Sequence, residues 1–288
     1  MCIDLAVSYP GVVSAAGHFA DRLAAAVERK QAALCVGLDP DSELMPGGIG
    51  VVEFCRGIVD AVAPVAVAVK PQTAFFEAQG PPGWAALTEV SDYAREAGLL
   101  VIADAKRGDV PSTARAYAAA FAPLADAVTV NPYLGFDSLE PFFARDGLGV
   151  LVVVKTSNPG SVDIQDLPLA DGRPLWRHVA GLVDRWGEDQ VGASGLSSVG
   201  AVVGATFPQE VAEARRLMPR AVLLLPGVGA QGGRPEDLAE AFTVGPAGAL
   251  VSASRSVIYA DGGPEWQEAA AAEAARLADE LRALAVPG

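Results

Sequence analysis

Residues Val101 to Thr113 read Val-Ile-Ala-Asp-Ala-Lys-Arg-Gly-Asp-Val-Pro-Ser-Thr: an apolar run, a carboxylate, an ammonium and then a second carboxylate. In a β-strand, side chains two residues apart share a face, about 6.6 Å apart along the chain. Asp104 and Lys106 are therefore expected to point the same way, and Asp109 can return from the loop that follows. Opposite charges favour the charged form of a group set between them. The trio thus suits a lysine held as an ammonium, a positive charge aimed at negative charge developing in a substrate. It equally suits a structural ion-pair network, with Arg107 peripheral to it.

Such a cluster needs a frame that collects strand ends. Eight strand-length apolar runs recur along the chain: Leu34–Leu38, Val65–Val69, Leu99–Ala103, Ala127–Val130, Gly149–Val154, Gly200–Gly204, Ala221–Leu225 and Gly248–Ser252. Most are continuous rather than alternating, as parallel strands covered on both faces should be. Helix candidates lie between them at Val51–Val62, Trp84–Ala97, Thr113–Phe121, Leu175–Trp186, Pro208–Leu217 and Arg234–Ala241. Eight βα units in about 250 residues match a single (β/α)8 TIM barrel. A doubly wound sheet is disfavoured, because the first strand runs into Gly37-Leu-Asp-Pro-Asp41 rather than a dinucleotide fingerprint. Residues 1–18 are expected to precede the barrel as an extension, with little regular structure in 1–16, and residues 19–288 to form the catalytic domain. Phe19–Lys30 should close the barrel bottom and Pro264–Leu284 should be a terminal helix. Gln79–Gly83 and Asn158–Arg173 read as loops.

Active sites of such barrels lie at the C-terminal ends of the strands. Asp39 ends strand one, Lys70 strand two, Asp104 and Lys106 strand three, and Lys155-Thr-Ser-Asn158 strand five. Strand seven ends in Pro226-Gly-Val-Gly-Ala-Gln231 and strand eight in Ser254-Arg255. Each has an ordinary alternative: Asp39 as a turn or cap residue, Lys70 as a snorkelling lysine, the glycines as shapers of a tight turn. Gathered at one rim, they read better as a site. Gly227, Gly229, Gly232 and Gly233 would let backbone N–H groups approach an anion, Gln231 can donate an amide hydrogen, and Arg255 adds a fork suited to phosphate oxygens. No Walker-type sequence is present, which favours a monophosphorylated small molecule. His18 and His178 fall outside the strand ends.

The net charge of −14 over 288 residues argues against broad binding to nucleic acid or anionic membrane. Cys2, Cys35 and Cys55 are few, odd in number and without metal-like spacing, with Cys35 in the core of strand one. Asp4 stands early, without the basic start of a secretory signal, and apolar stretches are too short to span a bilayer. A reduced cytoplasm is the expected location.

With these residues in view, the chain resembles the orotidine 5′-phosphate decarboxylase family, in particular its branch with Lys-Arg-Gly-Asp after strand three. The resemblance runs from about Phe19 to the final helix. Its landmarks are Val36-Gly-Leu-Asp-Pro40, Val69-Lys-Pro-Gln-Thr-Ala-Phe-Phe-Glu77, the segment from Asp104 to Thr113 and Val130-Asn-Pro-Tyr-Leu-Gly135. They continue with Lys155-Thr-Ser-Asn-Pro159, Leu225-Pro-Gly-Val-Gly-Ala-Gln231 and Ser252-Ala-Ser-Arg255. The resemblance implies that Lys106 donates a proton to C6 of the pyrimidine, with Asp104 beside the substrate carboxylate and Lys70 and Asp39 holding the ribose hydroxyls. It implies that Asp109 and Thr113 reach a neighbouring subunit's site in a homodimer. Thr156 and Ser157 would face the pyrimidine, Gln231 and Arg255 would take the phosphate, and Pro226 joins the substrate-binding residues. No metal or cofactor is expected.

The nearest rival is a metal-dependent sugar-phosphate decarboxylase or hexulose-phosphate synthase of the same superfamily. Those carry an acidic metal ligand where Lys70 stands, and a cation there opposes a bound Mg²⁺. A Schiff-base aldolase would need a neutral lysine, against the pull of the aspartates. A catalytically silent phosphate-binding barrel has no need of the charge array.

Overall fold

The structure, a computed structural model, describes residues 17–229 and 232–284. The expected extension over residues 1–16 lies outside them. Eight parallel strands close into a barrel in sequence order: β1 (Leu34–Leu38), β2 (Ala68–Pro71), β3 (Leu100–Arg107), β4 (Ala127–Val130), β5 (Gly149–Lys155), β6 (Ser197–Val203), β7 (Ala221–Pro226) and β8 (Ala249–Ala253). β1 pairs with β8 to complete the ring. Nearly every strand residue is buried, since side chains face either the barrel interior or the helical coat.

The helices are α1 (Phe19–Lys30), α2 (Val51–Val62), α3 (Thr73–Glu77), α4 (Pro81–Glu96), α5 (Pro111–Phe121), α6 (Glu140–Phe143), α7 (Leu175–Trp186), α8 (Pro208–Leu217), α9 (Arg255–Ile258) and α10 (Trp266–Leu284). α1 seals the bottom as expected. The Phe19 ring lies where a Cβ on Gly149 would come within 2.4 Å of it, so only glycine at the start of β5 admits this plug. His18 bonds to the Gln190 carbonyl and the Ser198 hydroxyl, tying the entry of α1 to β6. Among the described residues, no helix is long and apolar enough to cross a membrane.

Several expected bounds shift for identifiable reasons. Residues 79–83 do not form a loop throughout: Pro81 and Pro82 open α4, where missing N–H groups cost nothing. Gly83 fits because a Cβ there would meet the Phe76 carbonyl oxygen at 1.8 Å. β6 begins three residues before the apolar run, at Ser197 and Ser198, both buried. The Ser197 hydroxyl donates to the Gly187 carbonyl and accepts from the Val199 N–H, which offsets its burial. The helix candidate Arg234–Ala241 is a 3-10 helix over Pro235–Phe242.

Candidate active site

β3 does not deliver its charges by simple alternation. Its pairing with β4 shifts between Ala103 and Arg107, and Lys106 has a φ of 47°, in the left-handed region. Bulges of this kind re-aim side chains, and a non-glycine residue held there stores strain that surrounding contacts must stabilise. The Lys106 N–H donates to Thr129 Oγ1 at 2.9 Å, which holds the turn. The Lys106 ammonium then lies 2.5 Å from Asp104 Oδ1.

Asp104 is the hub. Lys70 Nζ donates to its Oδ2 at 2.8 Å, Thr129 Oγ1 to its Oδ1 at 2.9 Å, and Gln72 Nε2 to its Oδ2 at 3.2 Å. Lys70 and Asp104 are 4% and 7% exposed, so neither charge is hydrated away. Burial alone would raise the Asp104 pKa, but Lys70 and Lys106 outweigh it and hold the carboxyl well below the usual carboxylate range. Burial would likewise lower the Lys70 pKa, yet Asp104 and then Asp39 hold it above its ordinary value. The pair is locked in its charged form.

Asp39 follows β1 at the same rim, and its Oδ1 is shielded from solvent without a hydrogen-bond partner among the described residues. Its backbone carbonyl accepts from the Tyr259 hydroxyl at 2.7 Å, and that hydroxyl accepts from the Asp41 N–H at 2.8 Å. Burial pushes the Tyr259 phenol up to about 12, so it remains a neutral strut. Gly37 pairs with Lys70 across β1 and β2. A Cβ on Gly37 would stand 1.8 Å from Ser254 Oγ and 3.3 Å from Asp39 Oδ1, so glycine keeps the floor open.

Asp39, Lys70, Asp104, Lys106, Pro226 and Arg255 line one cavity of about 210 Å³, together with Gln72 and Ser254. A second cavity of about 440 Å³ shares Lys106, Val202, Pro226 and Arg255 with it and adds Thr156 and Ser157. The two form one continuous site across the C-terminal mouth of the barrel. Arg255 is exposed, and its side chain has no hydrogen-bond or ion-pair partner among the described residues. Gln231 lies outside the described residues.

Two expectations need correction. The amides of Gly229, Gly232 and Gly233 donate within their own turn, to Gly233, Gly229 and Gly227 carbonyls respectively. These glycines shape a tight turn, with φ of 79° at Gly229 and 88° at Gly232, rather than offering those N–H groups to an anion. Asp109 does not return to the cluster: its carboxylate accepts from the Val110 N–H at 2.7 Å. Thr113, in the first turn of α5, does not line either cavity. Arg107 is peripheral to the ion pairs, bonding to Glu77 and stacking over Tyr117.

Thr129, Gln72 and Tyr259 were not anticipated. Thr129 is the single polar residue in the run Ala-Val-Thr-Val of β4, which is the signal it offers; Gln72 stands one strand period beyond Lys70. Tyr259 offers none, because its partner Asp39 is 220 residues away. Among the described residues, no three His, Cys, Asp or Glu side chains gather as a metal site would require.

Residues 32–272 match the family described as orotidine 5′-phosphate decarboxylase / HUMPS. The chain is 42% identical to the orotidine 5′-phosphate decarboxylase of Rhodopirellula baltica, over 92% of this chain and 99% of that protein. It is 46% identical to that of a Roseiflexus species, over 92% and 97%. Among solved structures, a putative orotidine 5′-phosphate decarboxylase from Streptomyces avermitilis superposes with a TM-score of 0.82 at 37% identity, covering 94% of this chain and 98% of that one. The OMP decarboxylase of Leishmania donovani gives 0.79 at 35%, covering 93% and 99%. Barrel, charge cluster and extent of likeness agree, and the chain belongs to the orotidine 5′-phosphate decarboxylase / HUMPS family.

Proposed function

We propose that the protein is a carboxy-lyase that converts orotidine 5′-phosphate to uridine 5′-phosphate in de novo pyrimidine biosynthesis, without metal or organic cofactor. The observation that carries this reading is the buried Lys70–Asp104 pair with the more exposed Lys106 against it, opening onto a cavity that also holds Arg255. Loss of carbon dioxide breaks the C6–carboxylate bond and leaves the electron pair on C6, in an orbital the ring π-system cannot delocalise. Stabilisation must then come from a preorganised cation. Lys106 supplies it and passes one N–H proton to C6; solvent later reprotonates the amine. Asp104, kept ionised by its two lysines, sits beside the substrate carboxylate and aims the Lys106 ammonium.

Opposite unit charges 4 Å apart attract by about 4 kcal/mol at an effective dielectric near 20, too little for a large acceleration by one lysine. Binding of phosphate and ribose must contribute by favouring the transition state. The uncommitted Arg255 suits the phosphate, with Gln231 proposed beside it, and the unpaired Asp39 Oδ1 suits a ribose hydroxyl alongside Lys70. Thr156 and Ser157 face the pyrimidine from the adjoining cavity.

The active unit is a homodimer on this reading. Asp109 and Thr113 stand clear of their own cluster, available to a neighbouring site. Val110, Tyr133 and Leu134 are 51%, 80% and 45% exposed near that rim, an apolar surface that suits a second copy. The free thiols of Cys35 and Cys55 support a reduced, cytoplasmic setting.

A hexulose-phosphate or other Mg²⁺-dependent sugar-phosphate activity is the rival within the family. The Lys70 ammonium at the end of β2 opposes it, since a cation there repels a bound metal. The test is the loss of orotidine 5′-phosphate absorbance, with uridine 5′-phosphate as product, by purified protein in EDTA. Full turnover is expected; turnover that needs restored Mg²⁺, or none at all, would overturn the proposal.

A further inference from the structure

The loop after β5 is fastened to the strand end by two consecutive side chains that hold two consecutive residues. Gln165 Oε1 accepts from the Thr156 backbone N–H at 2.8 Å, while Gln165 Nε2 donates to Thr156 Oγ1 at 2.9 Å. The backbone N–H can only donate, so it fixes which way the Gln165 amide faces. The next residue, Asp166, accepts from Lys155 Nζ at 2.7 Å. That ammonium is buried, its side chain 3% exposed, and lies 4.0 Å from Glu210 Oε1 at the start of α8. The Gln165 carbonyl accepts from the Trp176 N–H, which ties the loop to α7 as well. Lys155 therefore ends β5 without lining either cavity of the site.

We infer that Gln165 and Asp166 form a clip that positions Thr156 and Ser157 over the pyrimidine, with buried Lys155 as its cation rather than as a substrate contact. The inference rests on the proposed function for the statement that Thr156 and Ser157 meet the base. Thr156 Oγ1 also donates to Asn158 Oδ1 at 2.6 Å, so its hydroxyl enters the site with its orientation already set. A preset hydroxyl and backbone reduce the ordering required when the base binds. Gln165, Asp166 and Lys155 are positioning residues, acting through Thr156 and Ser157.

The test separates base from phosphate. Binding of uridine 5′-phosphate and of ribose 5-phosphate is measured by calorimetry for the wild type, Gln165→Ala, Gln165→Glu and Asp166→Asn, beside kcat and KM. Gln165→Ala and Asp166→Asn should each weaken uridine 5′-phosphate about tenfold, the cost of roughly one hydrogen bond, and leave ribose 5-phosphate within twofold. Gln165→Glu keeps the acceptor for the Thr156 N–H and should recover part of the loss. Equal weakening of both ligands, or of neither, would overturn the clip while wild-type turnover left the functional reading standing. Wild-type protein that neither turns over orotidine 5′-phosphate nor binds uridine 5′-phosphate would overturn both.

Discussion

Two buried cations stand at opposite ends of the barrel, and their surroundings differ. Arg215, 3% exposed, sits at the N-terminal rim. Its guanidinium donates to the carbonyls of Ala241, Met218, Ala221 and Gly248, spanning α8, β7 and the approach to β8. Burial pushes its pKa down to about 10, with no carboxylate to reverse it. Lys70, equally buried at the C-terminal rim, has Asp104 against it, Asp39 nearby and a cavity in front. The first arrangement consumes its donors inside the fold and serves as a staple. The second leaves Asp39 Oδ1 unpaired and Lys106 facing open space, which a structure seeking only stability would not retain. Burial of charge alone thus does not mark a site; unfinished hydrogen bonding beside a cavity does.

Arg215→Met should sharpen that contrast most strongly. Loss of the four hydrogen bonds made by its guanidinium should cost about 4 kcal/mol of stability in denaturant unfolding, while kcat per folded molecule stays within twofold. A large loss of kcat in the folded fraction would break the distinction between the two rims.

Asp104→Asn should cost about 3 kcal/mol near neutrality by leaving Lys70 without its charged partner. The pH dependence has a definite sign. The depressed Asp104 pKa adds stability above its unfolded value, near 3.9, which is lost as pH falls through the lower folded value. The raised Lys70 pKa adds stability below its unfolded value, near 10.4, which is lost as pH rises through the higher folded value. The gap between wild type and Asp104→Asn should therefore be flat from about pH 5 to 9 and narrow in acid. A gap that changes steeply around pH 7 would contradict the locked pair.

Arg255→Ala should raise KM about 10- to 100-fold with a smaller change in stability, because its side chain has no hydrogen-bond or ion-pair partner among the described residues. Unchanged KM would remove Arg255 from the phosphate site. The dimer reading gives a smaller but distinctive effect: mixing inactive Asp109→Asn with inactive Lys106→Ala should restore roughly a quarter of wild-type activity through shared sites. No recovery on mixing would leave Asp109 serving its own chain.

The sequence carried the barrel well where burial is uniform. β1, β4, α1, α2, α7 and α8 have the bounds expected from apolar runs and helix periodicity. It carried them poorly where polar atoms are buried but satisfied, as at Ser197 and Ser198, or where prolines begin a helix, as at Pro81. In the site, charges at the ends of apolar runs were readable because they are costly there. The left-handed turn at Lys106 was not: alternation placed the side chain correctly for a reason that a bulge, not a regular strand, supplies. Nor does any local spacing reveal that Tyr259 props Asp39, or that Gly229 serves its turn rather than an anion.

The central claim, that Lys106 is the proton donor, is tested most directly by kcat of Lys106→Ala on orotidine 5′-phosphate in EDTA, with uridine 5′-phosphate affinity measured alongside. Removal of a general acid that is also the stabilising cation should lower kcat at least about 10³-fold while leaving nucleotide binding within tenfold. A kcat within tenfold of wild type would contradict the assignment and return the Lys70–Asp104–Lys106 array to a structural role.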